Sequence, residues 1–324
     1  MKKNNLNLNA ILVVFLLSLF SCGIMRNNAT NKTFSNSIIT NNIVSYSQIY
    51  WLNSKIDDSV VEKSGLFIPV QVDGIEKELF MQLDLGANIS MFYGKTLNSF
   101  AILDTVLRNK LFVQKGKHYI SDVSIKINNS NKLQAKQIRI LNNYGSVNID
   151  TSFVIIGTIG YDILLSGKLI IDYKNNRFAI VKSIPTQLDQ NMDYIDDVDL
   201  TKFPIILPFR MNNKQIKLFY DTGSSLFPII TGTNRLKKIA KHMPVDTISG
   251  LSSWGQQTPI YKLKNAVYLE CGNTSFGNVD IYGTDEFNIL RLFGKYLYGL
   301  TGNVLFLEKT IIIDIEEHRF GISR

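Results

Sequence analysis

Cysteine and histidine are scarce in this chain, and their scarcity removes several chemistries at once. The two cysteines, Cys22 and Cys271, cannot build the disulfide framework that small secreted domains rely on. The three histidines, His118, His242 and His318, lie far apart and in no zinc-ligand spacing, so no metal and no organic cofactor is expected. Alanine is also sparse, whereas Ile, Leu, Phe, Tyr and Asn abound, which favours strands and turns over helices. The net charge of +8 is scattered, and Arg235-Leu-Lys-Lys238 is typical of its short clusters. Without a basic stripe interleaved with aromatics, a nucleic-acid partner is not expected. Ser252 and Ser253 lie near Gly250 and Gly255 but not in the Gly-x-Ser-x-Gly spacing, which argues against a serine hydrolase.

No apolar run is long enough for a comfortable transmembrane helix. The run that comes nearest, Ala10 to Phe20, follows Lys2 and Lys3 and precedes Ser21-Cys22-Gly23. A basic start and a short apolar core are the marks of a secretory signal. Leu19-Phe-Ser-Cys22 resembles a bacterial lipobox, and that resemblance implies a lipid on Cys22 and a place in the bacterial cell envelope, facing periplasm or exterior. Residues 1–21 are then the signal peptide and 22–46 a lipidated tether, rich in Asn, Ser and Thr and expected to be flexible.

Beyond the leader, the 324 residues suffice for two domains with cores of their own, and three pairs of segments recur in the same order. Pro69 to Gly86 and Pro208 to Gly223 each read as strand, tight turn, strand, then Asp-x-Gly, with Asp73-Gly74 and Asn212-Asn213 as turn residues. Tyr119 to Ile127 matches Tyr261 to Leu269 at an offset of 142 residues. Gly160 to Ile180 matches Gly302 to Ile322 at the same offset without a gap. The Asp-x-Gly pair is offset by 137 residues, and a loop can absorb the difference. The resulting division is an N-terminal lobe over 47–184, an acidic linker over 185–204 and a C-terminal lobe over 205–324.

In each copy a carboxylate stands at the end of an apolar strand and a glycine two residues on permits a sharp turn. Two related lobes would face Asp84 and Asp221 across a pseudo-twofold axis. Carboxylates at close range cannot both ionise cheaply, so they share a proton and titrate as a pair. Such a pair can activate water and polarise a carbonyl without a covalent intermediate, with a bell-shaped pH dependence.

Asp221-Thr-Gly-Ser-Ser225, preceded by Leu218-Phe-Tyr220, resembles the active-site motif of the aspartic proteases, the pepsins and retropepsins. Ile159-Gly160 and Leu300-Thr-Gly302 resemble the element that supports each active-site loop in that family. The resemblance spans about residues 65 to 324. It implies an all-β chain of two homologous β-barrel-like lobes, the pepsin-like acid protease fold, with an interlobe active-site cleft. Asp84 and Asp221 become the catalytic dyad. Gly86 and Gly223 make the turns, Thr222 forms a hydroxyl-mediated link between the loops, and Ser224 hydrogen-bonds near the carboxylate. The implied activity is that of an aspartic-type endopeptidase acting on an extended peptide or protein, as a monomer, since duplication replaces a homodimer.

The first motif departs from the family: Asp84-Leu85-Gly86-Ala87 lacks both hydroxyls. The alternative is therefore a catalytically weak or inactive relative that binds peptides. The family's substrate-covering hairpin should lie near residues 111–117, which contain no tyrosine. Tyr119 and Tyr144 are candidates for its tyrosine, although ordinary burial is the plainer expectation for both. Trp254-Gly255 marks the matching hairpin of the second copy, and Cys271 is expected to be a reduced structural residue.

Overall fold

The computed structural model describes residues 35–38, 44–56, 59–128, 131–196, 198–241, 243–248, 252–253, 256–257, 259–285 and 296–324. The chain is all-β, with a few short helices. Among the described residues the strands pair into two closed rings of six.

In the first ring Asn131–Leu141, Met91–Tyr93, Ile155–Ile159, Leu79–Leu83, Ser59–Val72 and Lys117–Asn128 follow one another, and the last closes on the first. The second ring runs Thr274–Thr284, Ile230–Gly232, Gly299–Thr301, Lys214–Tyr220, Ile206–Met211 and Ile260–Cys271, again closing on its first strand. Each strand of one ring has its counterpart at the same place in the other. Closure removes the unpaired edges through which an open sheet would aggregate. A helix follows Met91–Tyr93 in the first ring and Ile230–Gly232 in the second, over Gly94–Leu103 and Thr233–Ala240 respectively.

Local sequence explains the elements. Asn212 and Asn213 adopt φ of 46° and 64°, the left-handed pair of a two-residue hairpin turn, and join Ile206–Met211 to Lys214–Tyr220. Along Leu79–Leu83, Leu79, Met81 and Leu83 point into the core, and the period of two turns Phe80 and Gln82 to the other face.

The rings are joined by a further six-stranded sheet. Its order is Met192–Ile195, Arg319–Ser323, Thr310–Asp314, Lys168–Asp172, Arg177–Val181 and Ser47–Gln48. At its centre Leu169 opposes Ile313, Ile170 opposes Ile312 and Ile171 opposes Ile311. Ile170 thus pairs with its own repeat counterpart 142 residues on, so the local twofold passes through that pair. Buried side chains from both rings and from this sheet form one continuous core, including Ile68, Leu83, Ile171, Leu218, Leu269 and Ile313.

Two stretches carry more structure than their composition suggests. Within the expected tether, Ser35–Ile38 pairs antiparallel with residues 131–134. Within the expected linker, Met192–Ile195 is the edge strand of the joining sheet, paired with Arg319–Ser323. The leader and Cys22 lie outside the described residues, as do His242, Gly250, Trp254 and Gly255.

Candidate active site

Leu79–Leu83 and Lys214–Tyr220 occupy the same place in their rings, each flanked by a parallel neighbour that fixes where the strand ends. Asp84 N–H donates to Ile159 O at 2.9 Å, and Asp221 N–H donates to Thr301 O at 3.0 Å. The chain then folds back identically in both copies. Ala87 N–H donates to Asp84 O and Ser224 N–H to Asp221 O, both at 3.1 Å. Gly86 N–H donates to Asp84 Oδ1 at 3.0 Å, and Gly223 N–H donates to Asp221 Oδ1 at 2.7 Å. Tyr161 N–H reaches Ala87 O at 2.7 Å, and Asn303 N–H reaches Ser224 O at 3.0 Å.

The two loops meet. A Cβ on Gly86 would run into the Asp221 carboxyl, and one on Gly223 would sit 2.5 Å from Asp84 Oδ1. Glycine is required at both positions by the opposite carboxyl rather than by its own backbone angles. The two carboxyls are hydrogen-bonded to each other. Asp84 is 9% exposed and Asp221 3%. Burial raises the pKa of Asp84 well above the ordinary carboxylate value, and the neighbouring Asp221 charge and hydrogen bond add to it. Burial also raises Asp221, while hydrogen bonds from Asp84, Gly223, Gly86 and Ser224 hold it back. Both carboxyls are thus pushed above the ordinary range, and they titrate as a pair that holds one proton between them over an intermediate range.

Thr222 ties the loops together. Its Oγ1 accepts from Leu85 N–H and donates to Leu83 O, both at 2.8 Å and both buried. Leu85 offers no reciprocal hydroxyl; its side chain is fully enclosed in the core. Ser224 serves Asp221 through its N–H, while its buried Oγ has no hydrogen-bond partner among the described residues.

Each loop is braced from behind by groups that motif reading missed. Behind the first, the Asp162 carboxylate accepts from Ser90 N–H and from Ser90 Oγ at 2.7 Å, and Ser90 Oγ accepts from Gly160 N–H at 3.0 Å. Behind the second, Asn303 Nδ2 donates to Thr222 O at 2.6 Å and to Ser225 Oγ at 2.8 Å. Asn303 Oδ1 accepts from Tyr173 OH, which also pairs with Tyr220 OH. Repeat comparison aligns Gly160 with Gly302 but sets Tyr161 against Asn303 and Asp162 against Val304. The braces lie where the copies differ, so similarity could not reveal them.

The hairpin of Leu111–Gln114 and Lys117–Asn128 turns at Lys115 and Gly116 and bears Tyr119 stacked on Phe112 at 5.6 Å. Tyr119 and Tyr144 are half-buried rather than core residues. Another tyrosine, Tyr93, is buried and bonded through its hydroxyl to Thr158 Oγ1 at 2.6 Å; burial raises its pKa, and the nearby Asp84 charge adds to the shift.

Among the described residues no cluster of three His, Cys, Asp or Glu side chains could hold a metal ion, and no helix is long and apolar enough to cross a membrane. Cys271 is a buried free thiol donating to Pro208 O at 3.2 Å. No family model matches the chain, and a search of curated proteins finds no match.

Proposed function

We propose that the chain is an aspartic-type endopeptidase of the pepsin-like, two-lobed build, with Asp84 and Asp221 as its catalytic pair. The observation that carries this reading is the meeting of two carboxyls from loops with matching hydrogen bonds, in contact with each other and enclosed. A buried pair sharing one proton suits amide hydrolysis. The ionised member takes a proton from a water whose oxygen attacks the scissile carbonyl carbon. The protonated member gives its proton to the carbonyl oxygen. In the reverse exchange the tetrahedral diol collapses, the C–N bond breaks and the amine nitrogen leaves protonated. The substrate is an extended peptide or protein lying across the two lobes. The leader, the lipid on Cys22, the envelope location and the monomeric state complete the proposal, with lobes over 47–184 and 205–324.

Leu85 and Ala87 support a second reading, a peptide-binding protein of the same build with weak or no catalysis, because one loop lacks both hydroxyls of the motif. Cleavage of a diverse peptide library by a soluble form lacking residues 1–22, from acid to neutral pH, separates the two. The peptidase reading expects a bell-shaped profile and loss of cleavage in folded Asp84→Asn and Asp221→Asn. A folded wild-type protein that cuts nothing would leave binding as the function.

A further inference from the structure

The two rings place unlike side chains beside the matching aspartates. Two residues before each Asp, and on the same face of the strand, stand Gln82 in the first ring and Phe219 in the second. Their neighbours on the parallel strands differ in the same sense. Gln82 is in register with Thr158, and Phe219 with Leu300. Phe219 and Leu300 belong to an apolar cluster with Phe227, Ile230 and Tyr282. Thr158, by contrast, is hydroxyl-paired with Tyr93.

Gln82 is the large polar side chain on this face, and its amide oxygen is buried. The residue is 3% exposed, and its Oε1 accepts no hydrogen bond among the described residues. On the strand paired with its own, Phe67 stands opposite, and Phe67 and Phe80 both pack on Phe153. A carboxamide oxygen left unpaired against aromatic rings destabilises a folded protein. Leucine or phenylalanine would fit such surroundings without that cost, and the second ring has phenylalanine there. Asp84 follows two residues on, so by strand alternation its carboxyl and the Gln82 amide lie on the same face.

We propose that Gln82 reads the substrate, accepting a hydrogen bond from a neutral hydroxyl or carboxamide side chain next to the scissile bond, while the Phe219 side takes a large apolar residue. The inference rests on the peptidase reading and narrows its substrate class to peptides polar on one side of the cut and apolar on the other.

The test is a positional-scanning peptide library cut by wild type and by Gln82→Leu. Wild type should favour Ser, Thr, Asn or Gln over Leu at one position adjoining the cut. Gln82→Leu should reverse that preference by at least about tenfold in kcat/KM ratio, since a site built for a hydrogen bond rejects apolar analogues strongly. Cleavage with the same preference in both proteins would overturn the proposal and leave the peptidase reading standing. Should wild type cut nothing, the peptidase reading fails, and the same peptides with a reduced, uncleavable bond still test Gln82 through thermal stabilisation. Polar-over-apolar discrimination that disappears in Gln82→Leu supports the residue's role; discrimination that is absent or persists overturns it. Loss of stability in Gln82→Leu with unchanged selectivity would mark the amide as structural.

Discussion

The pair Asp84–Asp221 couples chemistry to stability at the level of single residues. A carboxyl whose pKa is raised by folding binds its proton more tightly in the native state than in the unfolded chain. Its contribution to stability is therefore greatest below the ordinary carboxylate range. It is lost as pH rises from about 4 through the raised value, by about 1.4 kcal/mol for each tenfold gain in proton affinity on folding. Asp84→Asn removes that dependence. Urea midpoints at pH 3 and pH 7 should show the variant gaining on wild type as pH increases. Equal differences at both pH values would mean that the site does not strain its carboxylates. At this scale the two aspartates and their glycines were legible in the sequence, since each sits in a short motif at the end of an apolar strand. Gln82 and Asn303 were not, because nothing local marks an amide as buried or as a brace.

The two Asp-x-Gly loops are held by each other as well as by their own turns. Thr222 Oγ1 serves a donor and an acceptor on the opposite strand end, Leu85 N–H and Leu83 O, and both are buried. Thr222→Val keeps the shape and leaves both groups unpaired, at about 1–3 kcal/mol for each. Chemical denaturation should show a loss of at least about 2 kcal/mol, larger than for a typical surface Thr→Val. Leu85 shows how the first loop manages without a hydroxyl: its side chain is fully buried and joins the core. Turn chemistry explains the Asn212–Asn213 hairpin from sequence alone. The strand at Met192–Ile195 was hidden in an acidic stretch without apolar period, because its partner, Arg319–Ser323, lies over a hundred residues away.

Across the whole molecule the two rings share one core and a six-stranded sheet centred on Ile170 and Ile312. Bodies joined so extensively should unfold together, whereas domains linked by a mere tether unfold separately. Urea unfolding followed by tryptophan fluorescence and by far-UV circular dichroism should give one coincident transition. Ile312→Asp, which buries an unpaired charge at the sheet's centre, should destroy both rings at once rather than one. Two separated transitions in the wild type would show that the joining sheet is weaker than its burial suggests.

The amino-acid sequence by itself determined the all-β character, through strand-favouring composition and alternating apolar positions, and the equivalence of its two halves, through repeats at a constant offset. It also placed Asp84 and Asp221 at related strand ends, because strand, turn and glycine signals are local. Only the tertiary structure decided what surrounds them. Contact between the carboxyls, the one-sided Thr222 link, the unlike braces at Asp162 and Asn303 and the unlike faces at Gln82 and Phe219 all join residues far apart in the chain. Such contacts depend on how two closed rings pack, and packing is set by the sum of many weak, non-local interactions that no short motif records.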